Sequence, residues 1–295
     1  MSQPKNFKPT IFTKRDHDFL VDMYDLQFVD VEYLQQNIYK AKSKSFIYQR
    51  VNRLEAEGYV QTFRIPVMNP NPNGQSKNVY ALGRRGAEEV KHLLGEIDWR
   101  YDVAQRTPTH IYHQLLLGHV RAAFEEDRAI DEDERIPKHD IFELAQYINE
   151  KHGYFRSEKS EYSKYVIRPD AILVLKNKIS ETYAPFMVEL ERSRQSKKTT
   201  VEKLERYEAY ARFQLYNEHL SYDYPVGKPR ILFIAYDPKG VDRLIDHSKD
   251  VDTAFTNGVL FTTYEQVMND PYGLIFKAKD STYPTRLYSL TDRVE

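Results

Sequence analysis

The chain has 295 residues, 41% apolar and 29% charged, which is room for two ordinary domains or one large one. No apolar run approaches the roughly 18 residues that cross a bilayer, the opening "MSQPKNFKPT" has no apolar signal segment, and there is no cysteine. That excludes disulfides, thiolate metal sites and cysteine nucleophiles, and leads us to expect a cytoplasmic protein without a membrane partner. The net charge of −1 hides a division, because residues 1–100 carry 15 Lys+Arg against 12 Asp+Glu and the remainder is net acidic.

Residues 12–25, "FTKRDHDFLVDMYD", place Phe12, Phe19, Leu20 and Met23 at helical spacing, with Thr13 as the N-cap. Asp30 is placed to cap a second short helix, "VEYLQQNIY". A third follows, with Phe46, Ile47, Val51 and Leu54 as one apolar face and Gly58 as its stop. "YVQTFRIPVM" and "VYAL" read as a hairpin around the polar turn "NPNPNGQSKN", and "GRRGAEEVKHLLG" as a closing helix. This order, with "RLEAEGYV" and "VYALGRRG" in it, resembles a winged helix-turn-helix.

From Tyr33 to Leu54 there is no acidic residue, while Lys40, Lys42, Lys44, Arg50 and Arg53 lie in that window. A helix entering the major groove must approach phosphates, so like charges are excluded from it. Ser45, Tyr48, Gln49 and Asn52 add neutral donors and acceptors for phosphates or base edges, and Gln75 and Lys77 in the wing loop are placed for an adjacent groove. The expected partner is double-stranded DNA. The alternative is a solvated helix in a winged domain used for protein contacts.

Residues 96–109 show no periodicity and read as a linker. A helix over about 109–126 follows, then a polar loop, "RAIDEDERIPKHD". "YVIRPDAILVL" and "YAPFMVEL" are strands around the turn "KNKISET". Residues 198–217 form a long amphipathic helix, "RILFIAYD" a central strand, "KGVDRLIDHS" a helix and "GVLFTTYEQVMND" a strand with a short helix. The fold class is α+β with two domains: a winged helix over 1–95, the linker over 96–109, and an α/β layered domain over 110–295.

Asp170 heads one strand of the second domain and Glu189 lies in the next. A hairpin would set the two carboxylates side by side, able to hold one Mg²⁺ through oxygen ligands. Strand alternation puts Glu191 on the same face as Glu189. The bland alternative makes Asp170 a turn residue after Pro169 and pairs the glutamates with Arg168, Arg192 or Lys203 on an exposed strand. His110, His113 and His119 share a helix without the i, i+4 spacing of a zinc pair.

Asp, a strand and turn, then Glu-x-Lys is the pattern of PD-(D/E)xK nucleases, with their restriction-endonuclease-like core, and this chain resembles it except that Glu191 stands at the lysine position. The order "RPDAILVL", "FMVELERS", "KLERYEAY", "ILFIAYD" and "GVLFTTYEQVMNDPYGLIF" behind a winged helix is similar to the replication-relaxation family of mobile plasmids and related elements. The resemblance implies a role in replication, relaxation or mobilisation by metal-dependent nicking. It puts Asp170, Glu189, Glu191, Lys203 and His113 at the site, with the first three as metal ligands and Lys203 in place of the missing lysine. Conjugation or replication proteins are further expected partners, and a homodimer is an expected assembly. The alternative function is a non-catalytic DNA-binding regulator or accessory factor with a degenerate nuclease fold.

Overall fold

The computed structural model describes residues 10–41, 43–66, 76–100, 106–128, 135–159, 161–192, 195–220, 226–279 and 286–290. The chain divides into two compact units, Met1–Gly118 with Arg128–Glu134, and His119–Asp127 with Arg135–Glu295. Both helices and sheets are present, so the class is mixed α/β. Among the described residues no helix is long and apolar enough to cross a membrane.

In the first unit, α1 (Lys14–Leu26) starts at Thr13, whose side chain and that of Asp16 form a reciprocal capping box. After β1 (Val29–Asp30), the Asp30 carboxylate caps α2 (Val31–Tyr33), which runs into a π-helical turn over Leu34–Ile38. Helix α3 (Lys44–Ala56) is capped by Ser43 and buries Ile47, Val51 and Leu54. Phe46, expected on that buried face, is instead 53% exposed, its ring edge-on to Tyr39. It lies one residue before Ile47, about 100° around the helix and off the buried stripe.

The expected hairpin is β2 (Val60–Ile65) with β3 (Lys77–Leu82), antiparallel from Val60↔Leu82 to Ile65↔Lys77. Strand β1 adds to β3, giving a three-stranded sheet in the order β1-β3-β2. Helix α4 (Arg84–Leu94) closes against it. The next helix, α5 (Pro108–Phe124), was expected to open the second domain. Its first turns belong to the first unit: Ile111 and Leu115 pack with Phe28, Ile65 and Val79, and the division between units falls within the helix. Two short strands, β4 (Asp127–Arg128) and β5 (Arg135–Ile136), follow.

The second unit is built on a six-stranded sheet in the order β11-β10-β9-β8-β7-β6. Strands β6 (Phe142–Asn149), β7 (Ala171–Asn177) and β8 (Tyr183–Glu191) run antiparallel in chain order. Strand β8 then pairs parallel with β9 (Arg230–Ala235), and β9 parallel with β10 (Val259–Thr263), while β11 (Lys277–Ala278) is an antiparallel edge. Between β8 and β9 come α6 (Lys197–Arg212) and the short α7 (Tyr216–His219). Helix α8 (Pro238–Ser248) links β9 to β10, and α9 (Tyr264–Asn269) follows β10.

One face of the sheet, with Ile172, Val174, Met187, Ile231, Phe233 and Phe261, packs against Leu204, Tyr207 and Tyr210 of α6 and Val241 and Leu244 of α8. The near-continuous burial of β9 and β10 is what a parallel pair buried on both faces requires.

Candidate functional site

The turn "KNKISET" closes β7 onto β8 in the register Ala171↔Val188 to Lys176↔Tyr183. Just ahead of the first pair, the Asp170 backbone N–H donates to the Val188 carbonyl at 3.0 Å. The Asp170 carboxylate accepts from the Leu190 backbone N–H at 2.8 Å. Asp170 therefore lies across from Glu189, the neighbouring placement that a hairpin predicts.

Alternation turns Glu189 and Glu191 to the side that Met187 presents to α6, and the sheet buries both, at 2% and 5% exposure. The strand face is therefore buried rather than exposed, although the pairing of Glu189 with Lys203 that the alternative offered does form.

Helix α6 supplies what makes a buried Glu189 tolerable. The Lys203 ammonium donates to one carboxylate oxygen at 2.5 Å, and the Tyr207 hydroxyl donates to the other. Four residues apart, these two side chains stand one turn apart on one helix face. Burial, and then the charge of Asp170, push the Glu189 carboxyl up to about 7 against the pull of Lys203 and Tyr207. Burial lowers Lys203, but the charges of Glu189 and Asp170 outweigh it and hold the ammonium above its ordinary value. Burial, then Glu189, raise the Tyr207 phenol well above its usual value. Glu191 acts on the same ammonium through its charge. Asp170, Glu189, Glu191 and Lys203 are thus one electrostatic cluster, with three carboxylates against one ammonium.

The carboxylate pair is a hard-oxygen donor set of the kind Mg²⁺ takes. Each oxygen of Glu189 already accepts one hydrogen bond, from Lys203 or Tyr207, so an ion on the pair would use a remaining lone pair or displace one of these donors. Among the described residues no three His, Asp or Glu side chains are grouped to hold one metal ion. His113 lies on α5, in the stretch that belongs to the first unit.

In the first unit, Ser45, Tyr48, Gln49 and Asn52 are all exposed and fall along one side of α3 at i, i+3, i+4 and i+7. The cations divide differently from the sequence expectation. Arg50 turns inward, its Nε donating to the buried Asp16 at 2.8 Å. Lys77 belongs to β3 rather than the wing loop and pairs with Asp30 and, at 3.4 Å, with Glu32. Lys44 also reaches Glu32, at 2.6 Å, and Arg53 approaches Glu57 at 3.8 Å. Lys40 sits at positive φ just before α3. Lys42 and Gln75 lie outside the described residues. No motif in the sequence marks residues 153–159 or His219. That stretch is irregular backbone, with no periodic pattern to flag it.

The molecule is thus a mixed α/β protein with an acidic cluster, countered by one lysine, at the end of a β-hairpin. A family model described as replication-relaxation matches residues 20–221, well over half of the chain, and the protein belongs to that family. The matched stretch includes α3, the β7–β8 hairpin and the lysine and tyrosine of α6. Membership suggests a role in the replication or relaxation of mobile elements. No curated protein and no solved structure matches the chain.

Proposed function

We propose that this protein binds duplex DNA of a plasmid or related element through a winged helix in its first unit and nicks it at a PD-(D/E)xK-like site in its second. The observation that carries the reading is Asp170 set across the hairpin from a buried Glu189, with Lys203 on that carboxylate. A buried carboxylate beside a second one is costly, and such arrangements concentrate at functional sites. Mg²⁺ held by Asp170 and Glu189 would polarise the scissile phosphate and activate a water. Lys203 supplies the positive charge that faces the phosphate, and Tyr207 fixes the Glu189 carboxylate.

The test is nicking of supercoiled plasmid with Mg²⁺. Wild type nicks; Asp170→Asn and Glu189→Gln do not; Lys203→Ala is slower by about 100-fold. Nicking that persists in both carboxylate variants would sink the proposal.

A second reading, a DNA-binding accessory protein with a degenerate nuclease fold, is favoured by one observation: Lys203 and Tyr207 hydrogen-bond both oxygens of Glu189, which satisfies the buried carboxylate without a metal. It predicts duplex binding with no cleavage under any divalent cation.

A further inference from the structure

A cavity of about 470 Å³ opens in the second unit, lined by Tyr154, Arg156, Glu158, Lys159, Glu218 and His219. Its size falls in the range of small-molecule sites. The segment that forms it alternates: Gly153, Phe155 and Ser157 are buried, and Tyr154, Arg156 and Glu158 are exposed.

Phe155 bridges to Ile167 by two backbone hydrogen bonds, three residues before Asp170. The His219 ring lies parallel to both Phe155, at 4.5 Å, and Tyr210 of α6, at 5.8 Å, and those two rings are parallel to each other at 6.4 Å. Its nitrogens lie 3.2 Å from the Tyr210 hydroxyl and 3.4 Å from the Arg156 carbonyl. The wall is therefore fixed by the same helix that carries Lys203. Tyr210 is seven residues further along it, about 10 Å.

The charges in the cavity are unevenly satisfied. Glu218 accepts from Ser157 at 3.0 Å and pairs with Lys159 at 3.2 Å. Arg156 and Glu158 make no ion pair among the described residues. Tyr154 is 55% exposed and offers a ring face. One open guanidinium, one open carboxylate and one aromatic platform match a phosphate, a donor-bearing base edge and a base plane.

We infer that this cavity takes one unpaired nucleotide of the DNA strand beside the carboxylate site, with its phosphate on Arg156, its base on Tyr154 and an exocyclic amino group on Glu158. The inference rests on the endonuclease reading for its substrate and adds that the strand is unpaired here and that amino-bearing bases are preferred.

The test uses the full chain carrying Asp170→Asn, with chelator present, and fluorescence anisotropy of short oligodeoxycytidylate and oligothymidylate. Cytosine offers an amino group to a carboxylate and thymine does not. The cytidylate should bind about fivefold or more tightly than the thymidylate. Glu158→Ala, which leaves no acceptor, should remove that preference. Tyr154→Ala should weaken both about tenfold, and Arg156→Ala should weaken both and reduce the salt dependence by about one phosphate contact.

All three side chains are exposed, so the variants are expected to fold, and circular dichroism checks that. Equal affinity for the two oligonucleotides, or a preference that survives Glu158→Ala, overturns the inference. The two readings fail separately. A preference that depends on Glu158, in a protein that never nicks, upholds the cavity and sinks the nuclease. Nicking without the preference does the reverse.

Discussion

Three side chains close around the Asp16 carboxylate, which has no exposed surface: Thr13 donates at 2.6 Å, Tyr39 at 3.0 Å and Arg50 at 2.8 Å. Burial raises the carboxyl, but the hydrogen bonds from Arg50 and Thr13 outweigh it and hold it below the usual 3.8. A depressed carboxyl contributes stability that is present above its unfolded value and lost as pH falls through the folded one. Asp16→Asn should therefore flatten the acid arm of a plot of unfolding free energy against pH. Arg50→Ala should cost about 3 kcal/mol in urea unfolding, since it leaves a buried charge without its cation. Neither role was legible in the sequence, where Arg50 reads as one more cation on an acid-free helix. Its partner lies 34 positions earlier, and nothing local announces the pairing. Tyr207 differs, because its spacing of four from Lys203 already places it on the same side of the helix. At 3% exposure, with its hydroxyl given to Glu189, it is a poor nucleophile for a covalent tyrosyl route. Tyr207→Phe should slow nicking about tenfold and leave hydrolysis as the route, with no protein–DNA adduct on a denaturing gel. An adduct in wild type that vanishes in the variant would overturn this.

Among the elements, the approach of α4 to the end of α3 is set by two glycines. A Cβ on Gly83 would lie 2.3 Å from the Gly58 carbonyl oxygen, and one on Gly86 would lie 2.1 Å from that of Tyr59. The close fit lets the Gly83 N–H reach the Tyr59 carbonyl and the Arg85 N–H reach that of Gly58. The obstruction is backbone, which yields little. Gly86→Ala should lower stability by about 2–3 kcal/mol, read as a drop in Tm. Gly58, at φ 81°, was readable in advance as a helix stop because few other residues accept that conformation. The β7–β8 hairpin was equally legible, since two apolar runs around a short polar turn have one obvious pairing. Strand β6 was not. "FELAQYIN" has no clean alternation, its burial is partial because it is an edge, and a bulge between Leu144 and Gln146 breaks its register.

At the scale of the whole molecule, the proposed binding and the proposed chemistry lie in different units, so they should separate experimentally. Tyr48→Ala and Asn52→Ala, both on the exposed side of α3, should weaken duplex binding in a mobility-shift assay by about 1–3 kcal/mol each where they touch base edges. Asp170→Asn should leave that binding unchanged. From the mixed direction of the large sheet we expect an order in which the second unit is built. Strand β8 meets β7 across a short turn, whereas its partner β9 arrives only after α6 and α7, with Phe186 pairing to Arg230. Local pairings close at small entropic cost and distant parallel ones close late. Leu173→Ala, in the hairpin, should therefore slow refolding, while Val259→Ala, in β10, should chiefly speed unfolding in a stopped-flow chevron. Asp170 and Glu189 then meet in the first structure to form, before α6 brings Lys203 to them. Their mutual repulsion becomes a barrier to folding, and Asp170→Asn should refold faster than the natural chain.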